Sequence, residues 1–149
     1  MKKGQSSQSS RLVGQRLRLP RAAILRGKDR FQSLFSSSTV LRQPHVQLRF
    51  RVSPSTTPSQ QTAFVVSKRH GNAVTRNRLK RQMRESYRKN QHAWRLESEL
   101  KTNDHRNSAL SVDALFMIQT SDITSKQLET EMLTLMSQGQ ERLKTWVHG

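Results

Sequence analysis

Apolar residues recur along this chain with two different periods, and each period predicts a different element. Phe31, Leu34 and Phe35 stand at i, i+3 and i+4 within Asp29–Phe35, one face of a short helix. Val46, Leu48, Phe50 and Val52 alternate with Gln47, Arg49 and Arg51, which predicts a strand with one buried face and one polar, basic face. Pro54–Ser59 holds two prolines among Ser and Thr and reads as a loop. Thr62–Ser67 is a second strand, expected to run antiparallel to the first, and Thr39–Leu41 a short edge strand. Turn chemistry at Gly71 and Asn72 precedes a long helix over about Ala73–Trp94. In it, Leu79, Met83 and Tyr87 fall within one stripe about 80° wide. Arg95–Ser111 is polar and reads as a loop, and Val112–Thr120 is a third clear strand. Thr124-Ser125-Lys126-Gln127 fits a capping box, opening a last helix with Leu128, Met132, Leu135, Met136 and Leu143 on one face. Gly139 lowers the intrinsic stability of that helix by roughly 1 kcal/mol relative to Ala. The pattern is α/β (α+β) in the order αβββαβα. Residues 19–149 form a single domain, and residues 1–18 read as a disordered basic tail.

Charge then narrows the partners. Lys and Arg number 27 against 10 Asp and Glu, a net charge of +17. The isoelectric point is near 11.7 and the mean hydropathy is −0.81. Such a field draws the chain to polyanions, and cations that neutralise phosphates release counterions. The sequence has no Cys, so disulfides, thiolate metal sites and thiol nucleophiles are excluded. Met1–Ser10 carries no apolar core of a secretory signal, and no run of about 18 apolar residues is present. A cytoplasmic protein is expected, with an organelle transit peptide as the alternative reading of the Arg- and Ser-rich start.

The long helix concentrates the charge. Arg78, Lys80, Arg81, Arg84 and Arg88 fall on the arc opposite the apolar stripe, with Asn77 among them and Arg76 near the apolar edge. Like charges at i, i+4, such as Lys80–Arg84 and Arg84–Arg88, each cost a few tenths of a kcal/mol, about as much as one good pair gains. Glu85 offers the one nearby offset. A polyanion on this face removes that conflict, and arginine suits bidentate contact with phosphate oxygens. A merely solvated charged face is the ordinary alternative. Composition does not separate RNA from DNA.

One segment is specific. Ser67-Lys68-Arg69-His70-Gly71-Asn72-Ala73-Val74-Thr75-Arg76-Asn77-Arg78-Leu79-Lys80-Arg81 resembles the signature of the bacterial ribonuclease P protein component. A Gly-Asn-Ala-Val turn there leads into an Arg-Asn-Arg helix. The resemblance extends more loosely over Leu19–Trp146. It implies a small sandwich of the ribosomal-protein S5 domain 2-like type, with the basic helix in a left-handed crossover where sequence physics alone favours a right-handed one. It implies a subunit that assists a catalytic RNA in endonucleolytic removal of the 5′ leader from precursor tRNA, by binding both the RNA and the leader. Carried over, the RNA-binding residues are Lys68, Arg69, Asn72, Arg76, Asn77 and Arg78, followed along the helix by Lys80, Arg81, Arg84 and Arg88. The leader cleft takes Phe31, Phe35, Arg49 and Arg51, since aromatic faces stack bases and cations track the backbone. Two departures stand out. Arg30 adds one residue to the family's Asp-Phe spacing, and Arg49 stands where relatives often carry an aromatic. Phe31 and Phe35 fit a core as well as a cleft.

No protein active site is legible. His45, His70, His92, His105 and His148 lack metal-ligand spacing, and Asp104, Asp113 and Asp122 form no triad or two-metal pattern. The resemblance places hydrolysis on the RNA, so no catalytic residue, no metal and no cofactor is expected on the protein alone, with Mg²⁺ accompanying the RNA. The expected partners are the catalytic RNA and precursor tRNA, with no membrane and no DNA. A structural RNA-binder such as a ribosomal protein is the first rival, and the Gly71–Arg81 motif argues against it. A DNA-reading helix would need more base-reading side chains than Asn77 and Gln82. A membrane-surface helix would need a wider stripe than Leu79, Met83 and Tyr87.

Overall fold

The computed structural model describes residues 23–57, 59–94 and 109–148. Its elements are α1 (Lys28–Ser36), β1 (Thr39–Arg42), β2 (Val46–Ser55), β3 (Ser59–Val65), α2 (Ala73–Lys89), β4 (Ala109–Ile118) and α3 (Ser125–His148). The order is αβββαβα, as the periodicities predict. The expected tail 1–18 lies outside the described residues, as do residues 95–108 of the expected Arg95–Ser111 loop, whose last three residues belong to β4 instead.

The four strands form one sheet in the order β1-β2-β4-β3. β2 pairs antiparallel with β1 and with β4, whereas β3 runs parallel to β4. The second strand therefore points opposite to the first, as expected, but is not its neighbour. β4 lies between them, and α2 forms part of the crossover joining the parallel pair β3 and β4. Only residues 56–58 join β2 to β3 across the start of β4. Two strand spacings are about 10 Å, and four extended Cα steps reach about 14 Å, so the short link suffices. The expected loop at Pro54–Ser59 is correspondingly smaller, because β2 continues to Ser55 with Pro54 opposite Leu110. β1 stops opposite Phe50 and leaves that stretch of β2 with one open side, where a proline is tolerated.

The period of two separates the faces. Val46, Leu48 and Phe50 join Val112, Ala114, Phe116 and Ile118 in the main core. Leu79, Met83 and Tyr87 of α2 pack there, together with Leu128, Met132, Leu135, Met136 and Leu143 of α3. A smaller core on the other face holds Leu25, Leu34, Ala63 and Leu115, with Phe31, Val65 and Met117 against it. The capping box of α3 is formed as read: Thr124 Oγ1 accepts from Gln127 N at 3.1 Å, and Gln127 Oε1 accepts from Thr124 N at 3.0 Å.

The basic helix ends earlier than its pattern predicts, at Lys89. Asn90 stops it: its backbone N–H donates to Ser86 O and Tyr87 O, and its Nδ2 donates to Ser86 O at 2.8 Å. A 3₁₀ turn at Gln91–Ala93 then folds Trp94 into the main core, 1% exposed and edge-on to Phe50 at 5.8 Å. Tyr87 is buried and accepts from Thr62 Oγ1 at 3.0 Å and Gln60 Nε2 at 3.2 Å. Burial raises its pKa above the ordinary value of 10.0, against the lowering effect of those two hydrogen bonds. A phenol with a raised folded pKa contributes stability that is full below about pH 10 and is lost as pH rises toward the folded value. Tyr87 is the chain's single tyrosine, so phenolate ultraviolet absorbance reports it alone. That absorbance is expected to appear together with loss of far-ultraviolet circular dichroism above pH 10. Phenolate forming while the dichroism stays native would contradict the burial.

Glu131 is a polar member of the core that the periodicity passes over. It is 7% exposed, and its Oε1 accepts from the backbone N–H of His45 at 2.8 Å and of Val46 at 3.1 Å. Its Oε2 meets His45 Nδ1 at 2.6 Å. One carboxylate thus satisfies the entry of β2. The available signal was an acid inside the Leu128–Met132–Leu135 stripe.

Candidate nucleic-acid interface

The turn before α2 sets the direction of the basic helix. Gly71 holds φ at +123°, and a Cβ there would press on Thr75 Cβ and Cγ2 at 3.1 Å. Glycine is the residue that adopts this backbone without strain. Asn72 is the N-cap, and its side chain accepts from Thr75 N at 2.9 Å. Its side-chain oxygen is thereby engaged in shaping the helix start. Arg76 folds back, its Nε donating to Gly71 O at 3.2 Å.

Beyond that first turn, Asn77, Arg78, Arg81 and Arg84 are exposed and Lys80 is half-buried, on the side of α2 away from Leu79 and Met83. Lys68 and Arg69 are exposed in the 3₁₀ turn that leads into the helix. Arg88 is held differently, because Glu85 engages it through Nε–Oε2 at 3.0 Å and a second contact from Nη2 to Oε1. The hydrogen bond from Arg88 keeps the Glu85 carboxyl below the usual carboxylate range, and Glu85 raises Arg88 in turn. Glu85 is 47% exposed, so solvent screens the pair and its contribution to stability is small. The remaining cations of α2 therefore form a row whose repulsion is answered within the helix at one position.

The second group of predicted residues lies on the other face of the sheet. Phe35 is 48% exposed, and the Arg49 guanidinium carbon lies 5.3 Å from its ring centroid. That is a cation–π contact at the surface. The cation at position 49 is thus paired with an aromatic on α1. Phe31 is half-buried and packs on the small core with Val65 and Met117. The two phenylalanines therefore divide the readings left open by their spacing: Phe31 serves the core and Phe35 presents its ring. Arg51 is exposed beside Ser33, Ser53 and Asp113 around a hollow of about 270 Å³.

Arg30 of the first helix ties α1 to the sheet. Its guanidinium engages both oxygens of Asp113, with Nε to Oδ2 at 3.1 Å, and also reaches Gln61 Oε1. Arg51, Asp113 and Gln61 lie side by side across β2, β4 and β3. Asp29 and Asp113 place two carboxylates in a hollow that also holds Arg30 and Arg51, and Arg30 pairs with Asp113. Sequence reasoning missed this pairing because the two residues are 83 positions apart. His70 is buried in the turn, with its N–H on Ser67 O and Arg69 Nε 3.4 Å from its Nε2. Among the described residues, no three His, Asp or Glu side chains gather as a metal site, and no helix is long and apolar enough to cross a membrane.

Two surfaces result: a cationic helix suited to the phosphates of a structured polyanion, and a sheet face with an aromatic ring and cations suited to a single strand. A family model described as Ribonuclease P matches residues 19–139. The "Ribonuclease P protein component" of Coprothermobacter proteolyticus is 37% identical over 70 residues, 47% of this chain and 56% of that protein. The match thus spans little more than half of that relative's length. The solved structure of the RNase P protein from Thermotoga maritima superimposes with a TM-score of 0.58 at 20% identity, covering 77% of this chain and 96% of that one. The Staphylococcus aureus RNase P protein superimposes with a TM-score of 0.60 at 17% identity, covering 80% of this chain and 96% of that one. These two likenesses establish the fold.

Proposed function

The chain belongs to the ribonuclease P protein family, and on that premise we propose that it is the protein subunit of a ribonuclease P, assisting a catalytic RNA in removing the 5′ leader from precursor tRNA. The observation that carries the proposal is the row of exposed Arg78, Arg81 and Arg84 opposite the docked stripe of Leu79, Met83 and Tyr87, directly after the Gly71–Asn72 turn. This face binds phosphates of the catalytic RNA. Neutralising those phosphates lowers the repulsion between that RNA and precursor tRNA, and the counterions released favour binding. The opposite sheet face holds the single-stranded leader, with Phe35 offering a stacking surface while Arg49 and Arg51 follow its backbone. Hydrolysis is assigned to the RNA with the Mg²⁺ it holds, so the protein belongs to an endoribonuclease without supplying the reacting groups. Its site of action is the cytoplasm.

The test is cleavage of a 5′-extended precursor tRNA at low Mg²⁺ by a bacterial ribonuclease P RNA, with and without this protein. Strong stimulation is expected, with no cleavage by the protein alone. Phe35→Ala is expected to raise KM for long-leader precursors more than for short-leader ones, with RNA affinity unchanged. Tight binding of a cognate RNA without stimulation would point instead to a structural RNA-binding protein.

A further inference from the structure

A groove of about 280 Å³ separates the second half of α2 from the first turn of α3, close to the size at which ligand clefts begin, about 300 Å³. It adjoins the cationic row, since Arg81 lines it together with Gln82 and Lys89 from α2 and Leu128 from α3. Most of its lining is carbon.

Three observations point to an occupant. Ser86 lines the groove at 5% exposure, and its hydroxyl has no hydrogen-bond partner among the described residues. Buried hydroxyls are ordinarily paired. The groove also opens on the N-terminus of α3, a helix of 24 residues. Thr124 and Gln127 satisfy each other there, whereas the N–H groups of Ser125 and Lys126 have no intrahelical acceptor and lie at the positive end of the helix dipole. Finally, Gln82 Nε2 donates to Ser125 Oγ at 3.1 Å, which fixes the two helices at the rim and leaves the Gln82 carbonyl as an acceptor.

The charges select among ligands. Glu129 and Glu85, the latter held by Arg88, also line the groove, so it does not suit a bare anion. Carboxylates accept hydrogen bonds and favour N–H donors. A group with an apolar flat body, a donor-bearing edge and an attached phosphate meets all of these demands at once. We infer that the groove holds one unstacked nucleotide of the bound RNA, its phosphate at the α3 N-terminus and a base with an exocyclic amino group against the Glu129 carboxylate. Unstacked bases read on their edges are the usual targets of RNA-binding proteins. The inference rests on the reading of α2 as an RNA-binding face.

The test is amide NMR of the full chain, titrated separately with guanosine 5′-monophosphate, uridine 5′-monophosphate and inorganic phosphate. The guanosine nucleotide is expected to shift Ser86, Ser125 and Lys126 together, and to bind at least roughly fivefold more tightly than the uridine nucleotide. Inorganic phosphate is expected to shift Ser125 and Lys126 only. Glu129 is exposed, so Glu129→Gln leaves packing intact and is expected to erase the preference between the two nucleotides. Equal responses to all three probes, or silence at these amides, would overturn the inference. RNA affinity measured on the same sample separates the two failures. Normal RNA affinity with a silent groove removes this inference alone, and no RNA affinity removes the reading beneath it.

Discussion

Reversing the charge at Arg78 and Arg81, both to Glu, is expected to weaken binding of a ribonuclease P RNA by about 10²- to 10⁴-fold. Hydrogen bonds to charged groups contribute roughly 1.5–3 kcal/mol each, so losing two removes about 3–6 kcal/mol. These two positions suit the test because both side chains are exposed and neither makes a hydrogen bond or ion pair among the described residues. Their replacement leaves the Leu79–Met83–Tyr87 contact with the sheet untouched. Arg88 would be a poorer choice, since it is engaged by Glu85 and a loss there mixes two effects. The dependence of log K on log salt should flatten as well, by about 0.7–0.9 for each phosphate contact removed. Affinity measured across a salt series, with circular dichroism as the control for folding, decides the matter. Unchanged affinity in a folded variant would remove α2 from the interface.

The largest effect on stability is expected at a residue that touches no partner. Gly139 sits inside α3, where replacing Gly by Ala ordinarily stabilises a helix by about 1 kcal/mol. Here a Cβ would overlap Cζ3 of the Trp94 ring, with Cη2 at 2.9 Å and Leu48 Cδ2 at 3.1 Å. Trp94 and Leu48 are both fully buried, so neither has open space to move into. Overpacking of a well-packed core costs roughly 1–3 kcal/mol and occasionally more, and a whole indole must be displaced here. Gly139→Ala is therefore expected to lose about 2 kcal/mol, opposite in sign to its helix propensity. Urea unfolding would show this as a lower midpoint at an unchanged m-value. Adding Trp94→Leu should recover part of the loss, because the colliding ring is gone. A stabilised single variant would mean that the ring has room to shift.

These two residues mark how far the sequence could be read. The alternation Val46–Gln47–Leu48–Arg49–Phe50 is a local signal, and it placed the strand and its core face, whereas the polar face is partly covered, with Gln47 buried and Arg49 half-buried. The capping box at Thr124 is also local and formed as written. The cationic row on α2 follows from helical geometry alone once Leu79, Met83 and Tyr87 are docked. Contacts that depend on distant partners were not legible. Gly139 reads as a weak point in a helix until Trp94 is found against it, and Trp94 itself reads as helix until Asn90 ends α2. The Arg30–Asp113 pairing and the Arg49–Phe35 stack join segments whose proximity is set by the tertiary fold. The neighbour order of the strands belongs to the same class. A three-residue link would serve a hairpin equally well, but β4 pairs with both strands and separates them.

That strand order constrains how the chain is made. A ribosome releases β1, β2, β3 and α2 before β4, yet β4 is the strand that pairs with both β2 and β3. Until it emerges, β2 and β3 are held close by their short link with no strand between them. A premature hairpin is then the nearest competing pairing, and it must open for the native sheet to close. Contacts this distant in sequence form slowly, and unpaired edges exposed in the meantime favour aggregation. Nascent chains ending before Ala109 should therefore remain unfolded and in need of chaperones, with folding arriving in one late step after β4 and α3 have left the exit tunnel.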